Sequence, residues 1–498
     1  MDNVMVIVFY DWLTSGRAIQ QRSEKLILCI LSLVLVIFSS SVRSNNLDHW
    51  FTEFKETATP QQLYNFLYLL PKGGDLHHHL GGSNFSEWWY ELATQPEQNG
   101  GYHYYTRTVI KHCKGYGTNE FGSAPQSLLF RNIQHSHYNA LSQCEKSEYH
   151  LLSELNHKQK TAWLHSIRLD KAFEGRSEFF EKHWLRLNDL GRNPTLLAEM
   201  LVKNMQAFAD EGLTYLETQI SAFNQLKPDG SVYGGDDVID LFRQRLTKND
   251  AVESGVTARL QHSLLRFTPD AEENLKRIYR LADRNRDVLV GLNMVGREDN
   301  DKGYPLRFLK TLRELRQTIP AVKLAIHAGE VDEPNFHVRD TLLLGADRIG
   351  HGVNLITDPQ TMLLMRHNRY LVEINLISNL LLEYVSQYNQ HPFPEYLRTG
   401  IPVALSTDDR GMWDSTMTDE YYVAVKEFNL SWQELISLGE NSLTFSFIDE
   451  ENKQRLLKSY ANRVIQFAET FQQKGKQMLN QVNPNKRLFI CQRYQLCN

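Results

Sequence analysis

The feature that most limits the fold of this 498-residue chain is a repeated alternation of short apolar segments with amphipathic ones. Segments such as AEENLKRIYRLADRN have apolar residues three or four positions apart, which is typical of a helix. Between these helical patterns recur runs with the apolar or β-branched composition of buried strands. Eight predicted strands cover residues 75–81, 213–221, 258–267, 287–296, 322–330, 347–355, 370–378 and 401–409. Strand and helix in strict alternation predict an α/β fold, a closed (β/α)8 TIM barrel, with an open doubly wound sheet as the alternative.

One interval breaks this rhythm. About 130 residues separate the first predicted strand from the second, whereas a strand–helix–strand unit needs roughly 30 to 40. We therefore expect a large, mainly helical insertion at about 95–190, at the mouth of the barrel. It could serve as a lid, as a dimerisation arm of a homodimer, or as an inert decoration.

The N-terminal segment has the pattern of a secretory signal. Arg22 and Lys25 precede an apolar run at 26–38, which is followed by small residues suited to cleavage. The run is shorter than the roughly 20 residues that span a bilayer, although an uncleaved anchor is the alternative. Residues 1–44 are therefore predicted to be a signal peptide or an N-terminal anchor, and the protein to be exported, either periplasmic or secreted.

The remaining chain is predicted to comprise the barrel domain, 45–480, and a peripheral C-terminal tail, 481–498. Four cysteines lie outside the signal, an even number that suits disulfides in an oxidising compartment. Three pairings are open, and free thiols are the alternative. Proximity along the chain favours Cys113 with Cys144 and Cys491 with Cys497.

The charge of the chain bears on its partners. The formal net charge is −5, so no basic surface is expected and nucleic-acid binding is not predicted. A small-molecule substrate fits this composition better. No stable membrane partner is expected unless the N-terminal segment stays uncleaved.

Candidate catalytic residues follow from where a barrel places its chemistry, at the carboxyl ends of its strands. In the HHH run of the first strand, side chains alternate between faces, so His77 and His79 share one face and His78 points to the other. Imidazoles with a carboxylate suit Zn²⁺. The polar residues at the strand ends are His77, His79, His327, Glu330, His351, Asp408 and Asp409.

Four motifs carry a resemblance to a known family. PKGGDLHHHLGGS, HAGE, RIGHG and STDD, in this order, resemble the adenosine and AMP deaminase branch of the metal-dependent amidohydrolases. The resemblance extends from about Pro71 to near Ala468, excluding much of the insertion. The PKGG segment, the export signal and the insertion also resemble secreted adenosine deaminase-related growth factors. The resemblance implies zinc-dependent hydrolytic deamination of adenosine and deoxyadenosine to inosine and ammonia, with a metal-bound hydroxide attacking purine C6.

The resemblance also implies a role for each motif residue. Glu330 would donate a proton to purine N1, and His351 would take the proton of the water and orient the hydroxide. Asp409 would contact N7, and the backbone of Gly296 would donate to N3. One Zn²⁺ per chain would be held by His77, His79, His327 and Asp408, which leaves His78 with a structural role.

One position departs from the family pattern. Typical adenosine deaminases have an aspartate two residues after the second metal histidine, where it contacts the ribose 5′-hydroxyl, and this chain has Gly81. A glycine is expected to leave space, so that a 5′-modified nucleoside or a nucleotide could be accepted, with replacement of the missing contact by residues of the insertion as the alternative. The segment 177–187 resembles the helix that covers the ribose side of the pocket, with ordinary helix packing as the alternative.

Three other functions stay open at this stage. The first is deamination of AMP or another 5′-substituted adenine nucleotide. The second is a catalytically silent secreted binding protein on the same fold. The third is a hydrolase of another substrate class, but such relatives usually hold two metals bridged by a lysine after the fourth strand, and the segment GLNMVGRED contains no lysine.

Overall fold

The computed structural model describes residues 47–113, 128–298, 303–331 and 333–497, so the predicted signal at 1–44 lies outside the described residues. No helix in these ranges is both long enough and apolar enough to cross a membrane. The chain divides into two units. In the smaller unit a helix at 47–57 contributes Trp50 and Phe51, whose rings each lie 5.8 Å from the ring of Trp432.

The larger unit contains every described strand. In chain order these strands are β1 Gly73–His79, β2 Tyr104–Arg107, β3 Asn132–Gln134, β4 Tyr149–Leu151, β5 Leu213–Ile220, β6 Thr257–Leu265, β7 Leu289–Val295, β8 Lys323–Ala328, β9 Arg348–His351, β10 Leu371–Ile374 and β11 Val403–Leu405.

Eight parallel strands form the barrel, in the order β1-β5-β6-β7-β8-β9-β10-β11. The two ends of this sheet meet where His78 bridges Asp408, the third residue after β11. There the backbone N–H of Asp408 donates to the carbonyl of His77 at 2.9 Å, and the N–H of His79 donates to the carbonyl of Asp408 at 3.2 Å. The prediction of a (β/α)8 TIM barrel is therefore confirmed.

The last three barrel strands end earlier than predicted. The predicted strand 347–355 ends at His351, and the predicted strand 401–409 ends at Leu405. His351, at the end of β9, and Asp408, which bridges His78 beyond the end of β11, have left-handed conformations, with φ of +62° and +54°. Such a turn at the end of a strand redirects a polar side chain toward the mouth of the barrel.

The helices around the barrel form where polar caps and apolar stripes coincide. The helix Pro194–Asp210 begins with a proline, and the side chain of Asn193 accepts a hydrogen bond from the N–H of Leu196. The helices outside the insertion are Pro60–Leu69, Ser86–Ala93, Pro194–Asp210, Gly235–Leu246, Asn249–Glu253, Ala271–Arg284, Leu309–Arg316, His337–Leu343, Pro359–Asn368, Leu376–Leu381, Phe393–Thr399, Arg410–Trp413, Met417–Phe428, Trp432–Thr444, Glu450–Lys474 and Leu488–Tyr494. Short 3₁₀ helices are Pro305–Phe308, Val353–Thr357, Tyr388–Gln390 and Gly475–Gln481.

The insertion contains a small antiparallel sheet that the sequence analysis did not predict. Its strand order is β3-β2-β4, and Cys113 is bonded to Cys144 beside it. This pair and the Cys491–Cys497 pair are those that proximity along the chain favoured. The helical segments of the insertion are Pro96–Asn99, His135–Asn139, Gln143–Lys146, Leu152–Glu154, His157–Ser166, Arg176–Glu178, Phe179–His183, Trp184–Leu187 and Asn188–Arg192.

The predicted tail, 481–498, contributes a packed helix. Ile490 in the helix Leu488–Tyr494 is fully buried, and Arg487 before it forms an ion pair with Asp414. Thus the described part of this segment packs against the residues that follow β11.

Candidate active site

Four predicted ligand residues converge at the carboxyl ends of the barrel strands. His77 and His79 come from β1, His327 from β8, and Asp408 from the segment after β11, and one donor atom of each lies within 4.8 Å of all the others. The Nε2 atoms of His79 and His327 are 3.1 Å apart. Oδ1 of Asp408 lies 3.2 Å from Nε2 of His79 and 3.5 Å from Nε2 of His77.

This set of donors fits a metal ion. Nε2 of His77 is buried and has no hydrogen-bond partner among the described residues, and it points at Asp408. Burial lowers the pKa of His77, but the neighbouring carboxylates of Asp408 and Glu373 raise it to about 10. The two carboxylates on either side of the His77 ring thus favour a positive charge at this place, and a bound divalent cation would supply it. Imidazole and carboxylate are donors that Zn²⁺ takes in proteins, and with these four donors in place the open position for water is the fifth.

His78 points away from this cluster, as the alternation of strand side chains predicts. Its Nδ1 lies 2.7 Å from the hydroxyl of Thr218, and its Nε2 lies 3.4 Å from Oδ1 of Asn204 on the helix Pro194–Asp210. Burial keeps the pKa of His78 well below the usual value. His78 is therefore a neutral residue of the layer between strand and helix.

The ligands are oriented by further buried side chains. Nδ1 of His327 donates to Oδ1 of Asn293 at 2.8 Å, and the hydroxyl of Ser378 donates to Oδ2 of Asp408 at 2.6 Å. Such partners fix which nitrogen or oxygen of a ligand faces the metal. Here they leave Nε2 of His327 and Oδ1 of Asp408 facing the cluster.

Behind His77 lies a chain of buried charges that the sequence analysis missed. Nδ1 of His77 donates to Glu373 at 2.7 Å, and Arg348 donates to Glu373 and to Glu217 at 2.6 Å each. Arg348, Glu373 and Glu217 are at most 1% exposed. The sequence did contain a signal for this chain, since charged residues lie inside otherwise apolar strands. Charged residues are seldom buried in such strands without a partner of opposite charge.

Glu330 follows β8, and its environment favours the protonated form. Burial raises the pKa of Glu330 well above the usual value, and the charges of Asp408 and Glu298 raise it further. Glu298, which sequence reasoning also missed, accepts the backbone N–H of Glu330 at 3.2 Å and that of Gly329 at 3.1 Å. This second carboxylate therefore holds the turn on which Glu330 stands.

His351 lies at the end of β9, beside Glu330. Its Nε2 is 3.7 Å from Oε1 of Glu330 and has no hydrogen-bond partner among the described residues. On the other side of the ring, Nδ1 lies 3.3 Å from the amide of Asn375 and 3.0 Å from that of Asn379. Burial, assisted by the charge of His77, lowers the pKa of His351 to about 3, so the ring is neutral in the metal-free protein.

Asp409 differs from its neighbour Asp408 in protonation. Burial and then the charge of Asp408 raise the pKa of Asp409 well above the usual value, whereas hydrogen bonds from histidines hold that of Asp408 well below. Oδ1 of Asp409 has no hydrogen-bond partner in the described structure. This oxygen packs so closely against Gly82 that a Cβ atom at position 82 would lie 1.7 Å from it. Asp409 thus presents a neutral carboxyl group that can donate a hydrogen bond.

The two glycines implied in substrate binding follow different barrel strands, Gly81 after β1 and Gly296 after β7. Gly296 directly follows β7, next to the ring of Phe267. Gly81 lies two residues after His79, and a Cβ there would be 2.9 Å from the Trp184 ring. The expectation that Gly81 leaves empty space is therefore wrong, because Trp184 from the segment 177–187 occupies it.

Comparisons with known proteins agree with this geometry. The profile of the family described as adenosine deaminase matches residues 153–463 of this chain. An adenosine deaminase of Plasmodium gallinaceum is 28% identical over 297 residues, with 57% of this chain and 76% of the relative covered.

Solved structures show the same fold. An adenine deaminase from Arthrobacter aurescens has a TM-score of 0.58 and 17% identity, covering 79% of this chain and 99% of its own. The Arabidopsis N6-mAMP deaminase has a TM-score of 0.55 and 22% identity, covering 80% of this chain and 99% of its own. Since the family profile matches more than half of its length, this chain belongs to the adenosine deaminase family.

Proposed function

We propose that this protein is a zinc-dependent hydrolase that converts adenosine and deoxyadenosine to inosine or deoxyinosine and ammonia. One observation carries the proposal. The donor cluster of His77, His79, His327 and Asp408 lies beside two carboxyl groups, Glu330 and Asp409, that burial keeps protonated. A metal site next to neutral carboxyls suits a reaction in which a ring nitrogen gains a proton while water adds to the adjacent carbon.

The four donors would hold the zinc ion. When bound, zinc lowers the pKa of a coordinated water toward about 7, which makes hydroxide available at neutral pH. Nδ1 of His77 and of His327 are already engaged by Glu373 and Asn293, so their Nε2 atoms remain for the metal. The neutral state of His79 and His327, whose pKa values burial lowers, also suits metal ligation.

The other site residues would act on the purine. Glu330 would donate its proton to N1 as a hydroxide oxygen adds to C6. The proton of the new C6 hydroxyl would then pass to the amino group, which leaves as ammonia, and the Glu330 carboxylate would regain a proton from the next water molecule. Asp409 donates a hydrogen bond to N7, and the backbone N–H of Gly296 donates to N3. The carboxyls can do this because their raised pKa values keep them protonated near neutral pH.

The ribose side favours a nucleoside over a nucleotide. The residue at position 81 would face the 5′ group of the substrate, and the Trp184 ring packs against Gly81. An aromatic ring tolerates a neutral hydroxyl but compensates poorly for a phosphate dianion. The family relative from Plasmodium gallinaceum is also an adenosine deaminase by name.

Deamination of AMP or of another 5′-substituted adenine nucleotide is the second candidate. It is favoured by the fold shared with a protein named for N6-mAMP deamination. A catalytically silent binding protein is disfavoured, since all four donors and both carboxyls are in place.

Parallel assays of adenosine, deoxyadenosine, AMP, ATP, N6-methyl-AMP and adenine test the proposed function. The measurement is the change in ultraviolet absorbance as the purine loses its amino group, on the zinc-loaded protein. We expect kcat/KM to be highest for the two nucleosides. A preference for a nucleotide would support the second candidate, and no turnover of any compound would refute a deaminase function.

Replacing His79 by alanine should remove zinc and activity together. Removing a metal ligand should weaken zinc binding by more than about 100-fold, because removing a residue that only hydrogen-bonds to a ligand already weakens metal binding by up to about 100-fold. Zinc per chain, measured by mass spectrometry after dialysis against a chelator, checks this. The matched control is His78→Asn, which keeps an acceptor near Thr218 and should retain zinc. Equal zinc loss in both variants would contradict the assignment of the strand faces.

Glu330→Gln should retain zinc and lose kcat by about 10²–10⁴-fold, because it removes the proton for N1. In the unaltered protein, kcat/KM should fall as the pH rises through the raised pKa values of Glu330 and Asp409, and in the variant only the part of this decline that is due to Asp409 should remain. Glu273→Gln, on an exposed helix surface, is the control and should behave as the unaltered protein. Near-normal turnover by zinc-loaded Glu330→Gln would exclude Glu330 as the proton donor.

Gly81→Asp, which restores the aspartate of typical family members, should impair this protein. Its side chain would collide with the ring of Trp184, and overpacking of about 1–3 kcal/mol corresponds to a loss of about 5- to 150-fold in kcat/KM for adenosine. Adding Trp184→Ala should recover part of the loss. Gly191→Asp is the control because a Cβ at Gly191 meets no atom within 4 Å. Full activity of Gly81→Asp would contradict the role of Trp184.

A further inference from the structure

The helix Leu376–Leu381, which follows β10, touches two residues of the site. The hydroxyl of Ser378 donates to Asp408 at 2.6 Å, and the amide of Asn379 lies 3.0 Å from Nδ1 of His351. Both residues of the helix are fully buried. The start of the helix is held by Glu420, whose two oxygens accept the backbone N–H groups of residues 376 and 377 at 3.1 Å each. This helix therefore positions groups behind the site.

The orientation of the Asn379 amide is determined by His391. The backbone N–H of Phe393 donates to Nδ1 of His391 at 3.1 Å. Because a backbone N–H is always a donor, Nδ1 of His391 is the acceptor and the ring proton lies on Nε2. Burial lowers the pKa of His391 to about 3, so the ring carries only this one proton. Nε2 lies 3.0 Å from Oδ1 of Asn379, which accepts that proton in a hydrogen bond.

The donor and acceptor roles in this chain of hydrogen bonds also determine the tautomer of His351. With Oδ1 of Asn379 facing His391, its NH₂ group faces Nδ1 of His351, and the amide of Asn375 is close to the same nitrogen at 3.3 Å. Nδ1 of a neutral His351 is then an acceptor, so the ring proton lies on Nε2. That nitrogen faces the donor cluster and Glu330, and no described residue is its hydrogen-bond partner.

We propose that His391 and Asn379 are positioning residues that hold His351 as the Nε2–H tautomer, so that His351 donates a hydrogen bond to the attacking oxygen. In this tautomer, Nε2 of His351 does not accept the proton of the water, which differs from the role that the family resemblance implies. That proton passes instead to Glu330, which is a carboxylate after it has protonated N1. The catalytic part of this proposal rests on the proposed function. The tautomer itself does not, because every hydrogen bond in the chain is present without metal or substrate.

Asn379→Asp tests the proposal with little change in shape. A carboxylate at position 379 can only accept, so it should draw a proton to Nδ1 of His351. The measurement is the long-range ¹H–¹⁵N NMR spectrum of the full-length protein labelled with ¹⁵N-histidine, recorded near neutral pH both without metal and with zinc. The His351 resonances are identified by their absence in His351→Asn. We expect His351 to be protonated at Nε2 alone in the unaltered protein and at Nδ1 in Asn379→Asp.

The kinetic readout separates positioning from a loss of folding. In zinc-loaded Asn379→Asp, kcat for the best substrate should fall by about 100-fold, while KM changes little, because the residues that contact the purine are intact. Asn368→Asp makes the same chemical change at an exposed position and should leave the spectrum and kcat unaltered.

Protonation of His351 at Nδ1 in the unaltered protein would overturn the proposal, and this result does not depend on whether the variant folds. An unchanged His351 spectrum in folded Asn379→Asp would overturn the role of Asn379. Nε2 protonation in a protein that deaminates no adenine compound would support the tautomer assignment and refute the proposed function separately.

Discussion

The contact that closes the barrel also assembles the candidate metal site. His77 and His79 lie on the first strand and Asp408 lies just after the last, and the backbone hydrogen bonds at this closure join these same residues. More than 300 residues separate the two sides in sequence. If the sheet stayed open, Asp408 would not meet His77 and His79, and the four metal donors would not come together. Closure of the barrel therefore also forms the site.

The closed barrel places acidic groups of one chemical type in different protonation states. Asp408 is stabilised as a carboxylate by histidine donors, whereas Asp409 next to it and Glu330 across the site are kept neutral by burial. Behind His77, Arg348 lies between Glu217 and Glu373 and offsets part of their negative charge. Charges of opposite sign thus alternate from Glu217 through Arg348 to Glu373. A metal ion held by His77 and Asp408 would continue this alternation toward the mouth of the barrel. Such separation of pKa values is how one site can hold an anion that binds metal and acids that donate protons.

The sequence predicted the parts of the protein that depend on local pattern. The strands could be located from apolar runs, and the ends of those runs gave seven polar candidates, among which the family resemblance implied His77, His79, His327 and Asp408 as the metal ligands. The chain of buried charges behind His77 could not be predicted, because ion pairs between a glutamate and an arginine on different strands can be identified only when the register of the barrel strands is known. The contact of Trp184 with Gly81 was also out of reach, since it joins an insertion to the first strand, and the expected free space was wrong for that reason. The small sheet of β2, β3 and β4 was missed because its short strands lie in a polar segment and lack the apolar runs that mark the barrel strands.

The most direct test of this account is anomalous diffraction at the zinc absorption edge from crystals of the protein with its deaminated product. The account predicts one peak per chain, about 2.0–2.2 Å from the donor atoms of His77, His79, His327 and Asp408, with the purine between Glu330 and Asp409. A peak elsewhere, two metal ions at the site, or no peak there in an active preparation would contradict it.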